Sequence, residues 1–153
     1  MPLFPPERMK RVWIPLVLFG ALALQPFITS PAWAVTRAEH TEFRYTNSDR
    51  TSRSIPALSL SAEISRLAHR HSERMAAKHQ MFDNCLDCLL KAHAWSVVGE
   101  NVGYAPTVRE MNTTFIHSPP HRYNILHKAF TRVGMGVVKS GGLVWVTEIF
   151  YRP

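Results

Sequence analysis

Apolar positions recur every three to four residues between Ile64 and Met75, with Ile64, Leu67, Ala68, His71 and Met75 on one face. That spacing predicts an amphipathic helix. Ser61 precedes it as an N-cap and Glu63 lies in its first turn, so the helix is expected to start there and run to about His79. His71 falls on the buried face and reads as a packed core histidine with a hydrogen-bond partner. Upstream, Thr36 to Arg53 is polar and predicted helical, with a thin apolar face anchored by Ala38 and Phe43. The proline of Ser54-Ile55-Pro56-Ala57-Leu58 breaks it. Gln80 to Ser96 has no clean period and reads as a loop or a broken segment. Val97 to Tyr104 is apolar, with Gly99 and Gly103, and reads as a short strand or a turn. Thr107-Val108-Arg109-Glu110 has the form of a capping box, Thr107 capping and Glu110 reaching back, for a helix ending near His117. Ser118 and Pro119 suit the N-cap and first position of one more helix, with Ile125 and Leu126 facing the core.

The pattern then changes. Val133 to Val138 reads as a strand, Ser140-Gly141-Gly142 as a hairpin turn, and Leu143 to Phe150 as a second strand rich in Val, Trp, Ile and Phe. Helices first and strands last, without βαβ alternation, predict an α+β domain. Strand alternation puts Glu148 on the face of Val146 and Phe150, either at a groove edge or salt-bridged, with Arg122 as a plausible partner. Gly134 and Gly136 fit a close packing or a bulge.

The first 34 residues follow another logic. Arg8, Lys10 and Arg11 precede a short apolar run, Val12 to Leu24, and Ala32-Trp33-Ala34 offers a small-x-small cleavage site. The expected organisation is a signal peptide over residues 1–34 and one domain over residues 35–153, secreted to the extracellular space or cell envelope. No second apolar stretch is long enough for a transmembrane segment. Removing the leader takes three basic residues and one acidic residue from a formal charge of +7, leaving +5. A modest positive charge suits anionic cell-wall polymers or lipid headgroups. The basic residues are scattered, with no arginine-rich run, so no nucleic-acid partner is expected. Cys85-Leu86-Asp87-Cys88 can be a redox pair, half a zinc site, a disulfide or free thiols. Export favours a local disulfide between Cys85 and Cys88.

Several motifs occur together and in order: Asn47-x-x-Arg50, Ala68-x-x-His71-Ser72 with Met75-Ala76, Gly99-Glu100-Asn101-Val102, Ser118-Pro119-x-His121-Arg122-x-Asn124-Ile125-Leu126, and Phe130-Thr131-x-Val133-Gly134-x-Gly136-Val137. Together they resemble the CAP superfamily (cysteine-rich secretory, antigen 5 and pathogenesis-related proteins), in its bacterial secreted branch, over Asn47 to Phe150. The resemblance implies a CAP-like α-β-α sandwich with a groove. In eukaryotic members two histidines and two acidic residues line that groove, and in some they bind a divalent cation. Carried over residue by residue, His121 matches the downstream histidine and Glu100 the first glutamate. Asp83, in Met81-Phe82-Asp83-Asn84, stands where the family usually has its upstream histidine, and Ser118 occupies the position of the second acid. Glu110 is on the same helix in another register. His93 is an untemplated candidate for the missing histidine. Ala105 and Pro120 replace the family's usual glycines. Asn101 and Asn124 are expected to tie loops to backbone groups.

His121 can act as a neutral metal ligand or a proton carrier, and Glu100 and Asp83 as acceptors or hard-cation ligands. One imidazole and two carboxylates can hold zinc, calcium or magnesium, more weakly than a site with a second imidazole. Without a metal, Glu100 is expected to pair with His121 and raise its pKa. The expected function is a secreted binding module whose groove holds a lipid, a glycan fragment or a divalent cation. The alternative is a secreted hydrolase, peptidase or esterase, using His121 with Glu100. Ser118 lies three residues before His121 and on the same helix face, but reads first as an N-cap. A third reading is disulfide exchange at Cys85 and Cys88. No residue is assigned as catalytic from the sequence.

Overall fold

A computed structural model describes residues 34–153. Residues 1–33, with nearly all of the predicted signal peptide, lie outside them. The described elements are α1 (Arg37–Thr51), β1 (Ser59–Leu60), α2 (Ala62–Lys78), α3 (Leu86–His93), β2 (Val97–Ala105), α4 (Val108–His117), α5 (Pro119–Leu126), β3 (Arg132–Ser140) and β4 (Leu143–Arg152). The strands form one sheet in the order β1-β3-β4-β2. β1 runs parallel to β3, and β4 is antiparallel to both β3 and β2. This is the predicted α+β sandwich.

Alternation along the strands sorts the core into two sides. Val133, Met135 and Val137 of β3, with Val146 and Phe150 of β4, pack with Met111, Phe115 and Ile116 of α4 and Ile125 of α5. Ala38 and Phe43 of α1 are partly buried against the same cluster. On the other side Ile149 and Tyr151 meet Ile64 and Ala68 of α2, and Trp145 meets Met75 and Ala76. No helix among the described residues is long and apolar enough to cross a membrane.

Helix α2 starts and stops where expected. The Ser61 hydroxyl accepts from the Ile64 N–H, and His79 closes the helix with φ of 50°. Gly134 and Gly136 serve close packing: a Cβ there would lie 2.4 Å from the carbonyl carbon of Ile64 and 2.1 Å from that of Ala68. Gly141 and Gly142, with φ of 59° and 78°, make the hairpin turn that joins Ser140 to Leu143.

Three local expectations are corrected. The 80–96 segment contains a helix, α3, that its sequence period did not reveal; its eight residues leave few turns in which an apolar stripe can repeat. The buried face of α1 is polar: Glu39, Glu42, Thr46 and Arg50 are its buried residues. Thr107 caps α4 through the Glu110 N–H, but Glu110 is exposed and makes no return bond.

A groove along the edge strand

β2 is an edge strand, and the two helical layers approach its open side. Met81, from the α2–α3 connection, and Tyr104 are each 49% exposed there. With Val102, Gly103, Met111, Thr114 and His121 they line a hollow of about 290 Å³. A second hollow, about 390 Å³, is lined by Asp83, Asn84, Cys85, Leu86, Asp87 and Glu100. Glu100 and Val102 point to the same face of β2, and the 81–84 segment borders both hollows.

Two anchors hold Asp83 between them. Phe82 meets the His71 ring edge-on at 5.0 Å, with the Lys78 ammonium 5.0 Å from its centroid. Asn84 gives its backbone N–H to Glu100 Oε2 at 2.8 Å and its side-chain amide to Oε1. Directly after Asn84, Cys85 and Cys88 form the predicted disulfide, and Cys85 Sγ accepts from the Cys88 N–H at the start of α3. The Asp83 carboxylate is exposed and makes no hydrogen bond among the described residues, yet it acts electrostatically on His121, His71 and Glu100.

Glu100 and His121 do not pair. Alternation along β2 turns Glu100 toward α2, where its Oε1 lies 3.8 Å from His71 Nδ1. His121 stands on α5, against the opposite face of the sheet. Asn101 joins the two sides: its amide donates to the His121 carbonyl at 3.2 Å, and its carbonyl oxygen accepts from Asn124 at 2.9 Å. Asn124 also donates to the Glu100 carbonyl. These two asparagines do tie backbone segments together, as predicted.

The partner of His121 is Ser118, with Oγ 2.9 Å from Nδ1. Ser118 is the N-cap residue of α5 but makes no side-chain cap bond, so the expected capping role of its hydroxyl is replaced by this contact. Pro119 follows as predicted, Ile125 is buried, and Leu126 is partly buried. Burial lowers the His121 pKa, and the Asp83 carboxylate opposes that shift. The expected rise from a Glu100 contact is therefore reversed. Burial raises the Glu100 pKa, against the two Asn84 hydrogen bonds.

His71 was legible as a core histidine but not as a neighbour of Glu100. It is fully buried, and its Nδ1 lies 3.2 Å from Thr147 Oγ1. Ser72 completes this group: its hydroxyl donates to the Gly136 carbonyl at 3.1 Å and lies 2.9 Å from Thr147 Oγ1. Burial and Arg74 lower the His71 pKa to about 4, so the ring facing Glu100 is neutral at pH 7. His93 stacks on Trp95 at 4.5 Å and makes no hydrogen bond or ion pair with Glu100 or His121. Glu148 is fully buried, and it bonds to Thr46 and Asn101 rather than to Arg122, which is exposed.

The metal expectation meets a geometry in which both Glu100 oxygens already accept from Asn84 and His121 Nδ1 meets Ser118. Among the described residues, no group of three or more His, Cys, Asp and Glu side chains is placed to hold a metal ion. As arranged, these donors do not fit a metal.

A mixed sheet between helical layers, with an edge-strand groove bearing His121, Glu100 and Asp83, defines the class of protein. The chain belongs to the CAP family: the model of the cysteine-rich secretory protein family matches residues 43–150. It is similar to the uncharacterized protein YkwD of Bacillus subtilis, with 28% identity over 129 residues, covering 78% of this chain and 49% of the relative. Among solved structures it resembles an extracellular SCP-domain protein of Bacillus anthracis (TM-score 0.67, 22% identity, 76% of this chain and 40% of that one). It also resembles an outer surface protein of Borrelia burgdorferi (TM-score 0.67, 9% identity, 78% and 96%). The chain spans about half the length of the curated relative and less of the Bacillus anthracis protein. At these identities the structural likeness speaks for the fold.

Proposed function

We propose that this is a secreted binding module whose edge-strand groove takes a small ligand with an apolar body and an uncharged polar head. One observation carries the reading: the hollow of about 290 Å³ lined by Met81, Val102, Tyr104 and Met111 ends on His121. Apolar walls with a few convergent polar groups are the usual make-up of a small-molecule site. Methionine adapts its shape to apolar ligands at little cost. Asp83 acts on His121 electrostatically and disfavours an anionic head there, whereas a hydroxyl can hydrogen-bond with the neutral imidazole. Export is supported by the leader-like N-terminus and by the extracellular and outer-surface relatives.

A fluorescent long-chain alcohol and the fatty acid of equal length test this. The alcohol is expected to bind saturably and more tightly than the acid. Loss of one hydrogen bond in His121→Ala is expected to weaken it about tenfold. No saturable binding of either probe, or tighter binding of the acid, rejects the reading. A divalent cation is the other ligand class for His121, Glu100 and Asp83. It would require Asn84 to release Glu100, and calorimetric titration with zinc, calcium and magnesium, in wild type and Glu100→Gln, tests it.

The hydrolase reading has one specific observation in its favour, the 2.9 Å contact between Ser118 Oγ and His121 Nδ1. Pro119 and Pro120 weigh against it, because they remove two backbone N–H groups from the start of α5, where an oxyanion would be held. Ester or peptide hydrolysis that disappears in Ser118→Ala would establish it.

A further inference from the structure

Glu42 of α1 and Glu148 of β4 are both completely buried. Glu148 accepts at both oxygens, from Thr46 Oγ1 at 2.6 Å and from Asn101 Nδ2 at 2.9 Å. Glu42 has no hydrogen-bond partner at either oxygen among the described residues. Neither carboxyl has an ion-pair partner among the described residues. Arg50, the buried cation two turns along the same helix face, gives its donors to the carbonyls of Pro56, Ile125, His127 and Phe130.

The other charged groups around α1 are also engaged or turned away. Asp49 acts on both glutamates, and is itself held by Arg53 at 3.1 Å and Asn112 at 3.3 Å. Glu39 meets His69 at 2.7 Å. From α4, Arg109 lies over the Tyr45 ring, and Glu110 and His117 are exposed. From α5, His121 meets Ser118 and Arg122 is exposed; from β3, Arg132 and Lys139 are exposed. On β2, Glu100 points to the other face of the sheet.

A buried carboxylate with no cation is costly, and protonation removes that cost. The donors decide which group keeps a proton: Glu148, with two, is the better anion, and Glu42, with none, is the better neutral acid. We propose that Glu42 and Glu148 form a buried proton-binding site that fastens α1 to the sheet, holding one proton on Glu42 through the neutral range and taking up a second on Glu148 in mild acid. Burial is the largest cause at both residues. It raises Glu148 to about 7, against the Thr46 and Asn101 bonds, and Glu42 well above the carboxylate range, with Glu148 and Asp49 adding to the rise. The two carboxyls titrate as one coupled pair. The site is one side chain from the groove, because the same Asn101 amide donates to Glu148 and to the His121 carbonyl.

The folded pair binds protons more tightly than unfolded glutamates, which titrate near 4.5. The Glu148 contribution to stability is therefore full below about 4.5 and is lost as pH rises through about 7, while that of Glu42 persists to higher pH. Carboxyl-carbon NMR on the folded wild-type domain, from pH 4 to 9, tests this without a substitution. One glutamate carboxyl, assigned through its bonds to Glu148, is expected to titrate near 7, and that of Glu42 to titrate well above the ordinary carboxylate range. Titration of both in the ordinary carboxylate range overturns the proposal. In a parallel thermal series, the melting temperature of wild type relative to Glu148→Gln is expected to fall between pH 5 and 8. A difference independent of pH contradicts the site.

Discussion

Arg50 is 1% exposed, and its guanidinium donates to four backbone carbonyls that belong to the α1–β1 connection, the end of α5 and the approach to β3. Arg50→Ala leaves those acceptors buried and unpaired, so a loss of about 3 kcal/mol or more is expected in urea unfolding. Asn47, three residues earlier, exchanges two hydrogen bonds with the backbone of Leu58. The Asn47-x-x-Arg50 motif was visible in the sequence, and the structure shows its role to be stapling. His71 carries a prediction of opposite pH sign to Glu148. Its folded pKa, about 4, lies below the ordinary 6.5, so its contribution is present above 6.5 and is lost as pH falls toward 4. The two groups oppose each other between about 4.5 and 6.5, which is why single variants are needed to separate them. The stability deficit of His71→Gln relative to wild type is expected to be larger at pH 6.5 than at pH 4.5 in urea midpoints.

At the scale of elements, α2 lies directly on the sheet because β3 offers Gly134 and Gly136 beneath it. In Gly136→Ala the new methyl would sit 2.1 Å from the Ala68 carbonyl carbon, so helix and sheet must separate. A destabilisation of about 2 kcal/mol is expected in thermal or urea melts. Helix α2 was legible because its buried face is apolar at helical spacing. The buried face of α1 keeps the same spacing in polar residues, Glu39, Glu42, Thr46 and Arg50, which a search for apolar periodicity passes over. A helical period in charged and hydroxyl residues was the signal available for it. The candidate residues Asp83, Glu100 and His121 were found in sequence because motifs carry them. Their partners were not, because a one-residue alternation along β2 separates Glu100 from His121. That separation depends on which helix covers which face of the sheet.

For the molecule as a whole, the account rests on a groove at the uncovered edge of β2, where both helical layers contribute residues. Asn84, Asn101 and Asn124 fix the walls, while Met81, Asp83 and Tyr104 remain exposed. The overall α+β order was readable from the chain; the proposed ligand chemistry rests on the hollow itself. The most direct test is an amide NMR titration of the wild-type domain with the long-chain alcohol. The account predicts saturable shifts concentrated at Met81, Asp83, Val102 to Tyr104, Met111, Thr114 and His121, with the α2–sheet contact at Gly134 and Gly136 unchanged. Saturable shifts confined to other surfaces, or none at all, would contradict it.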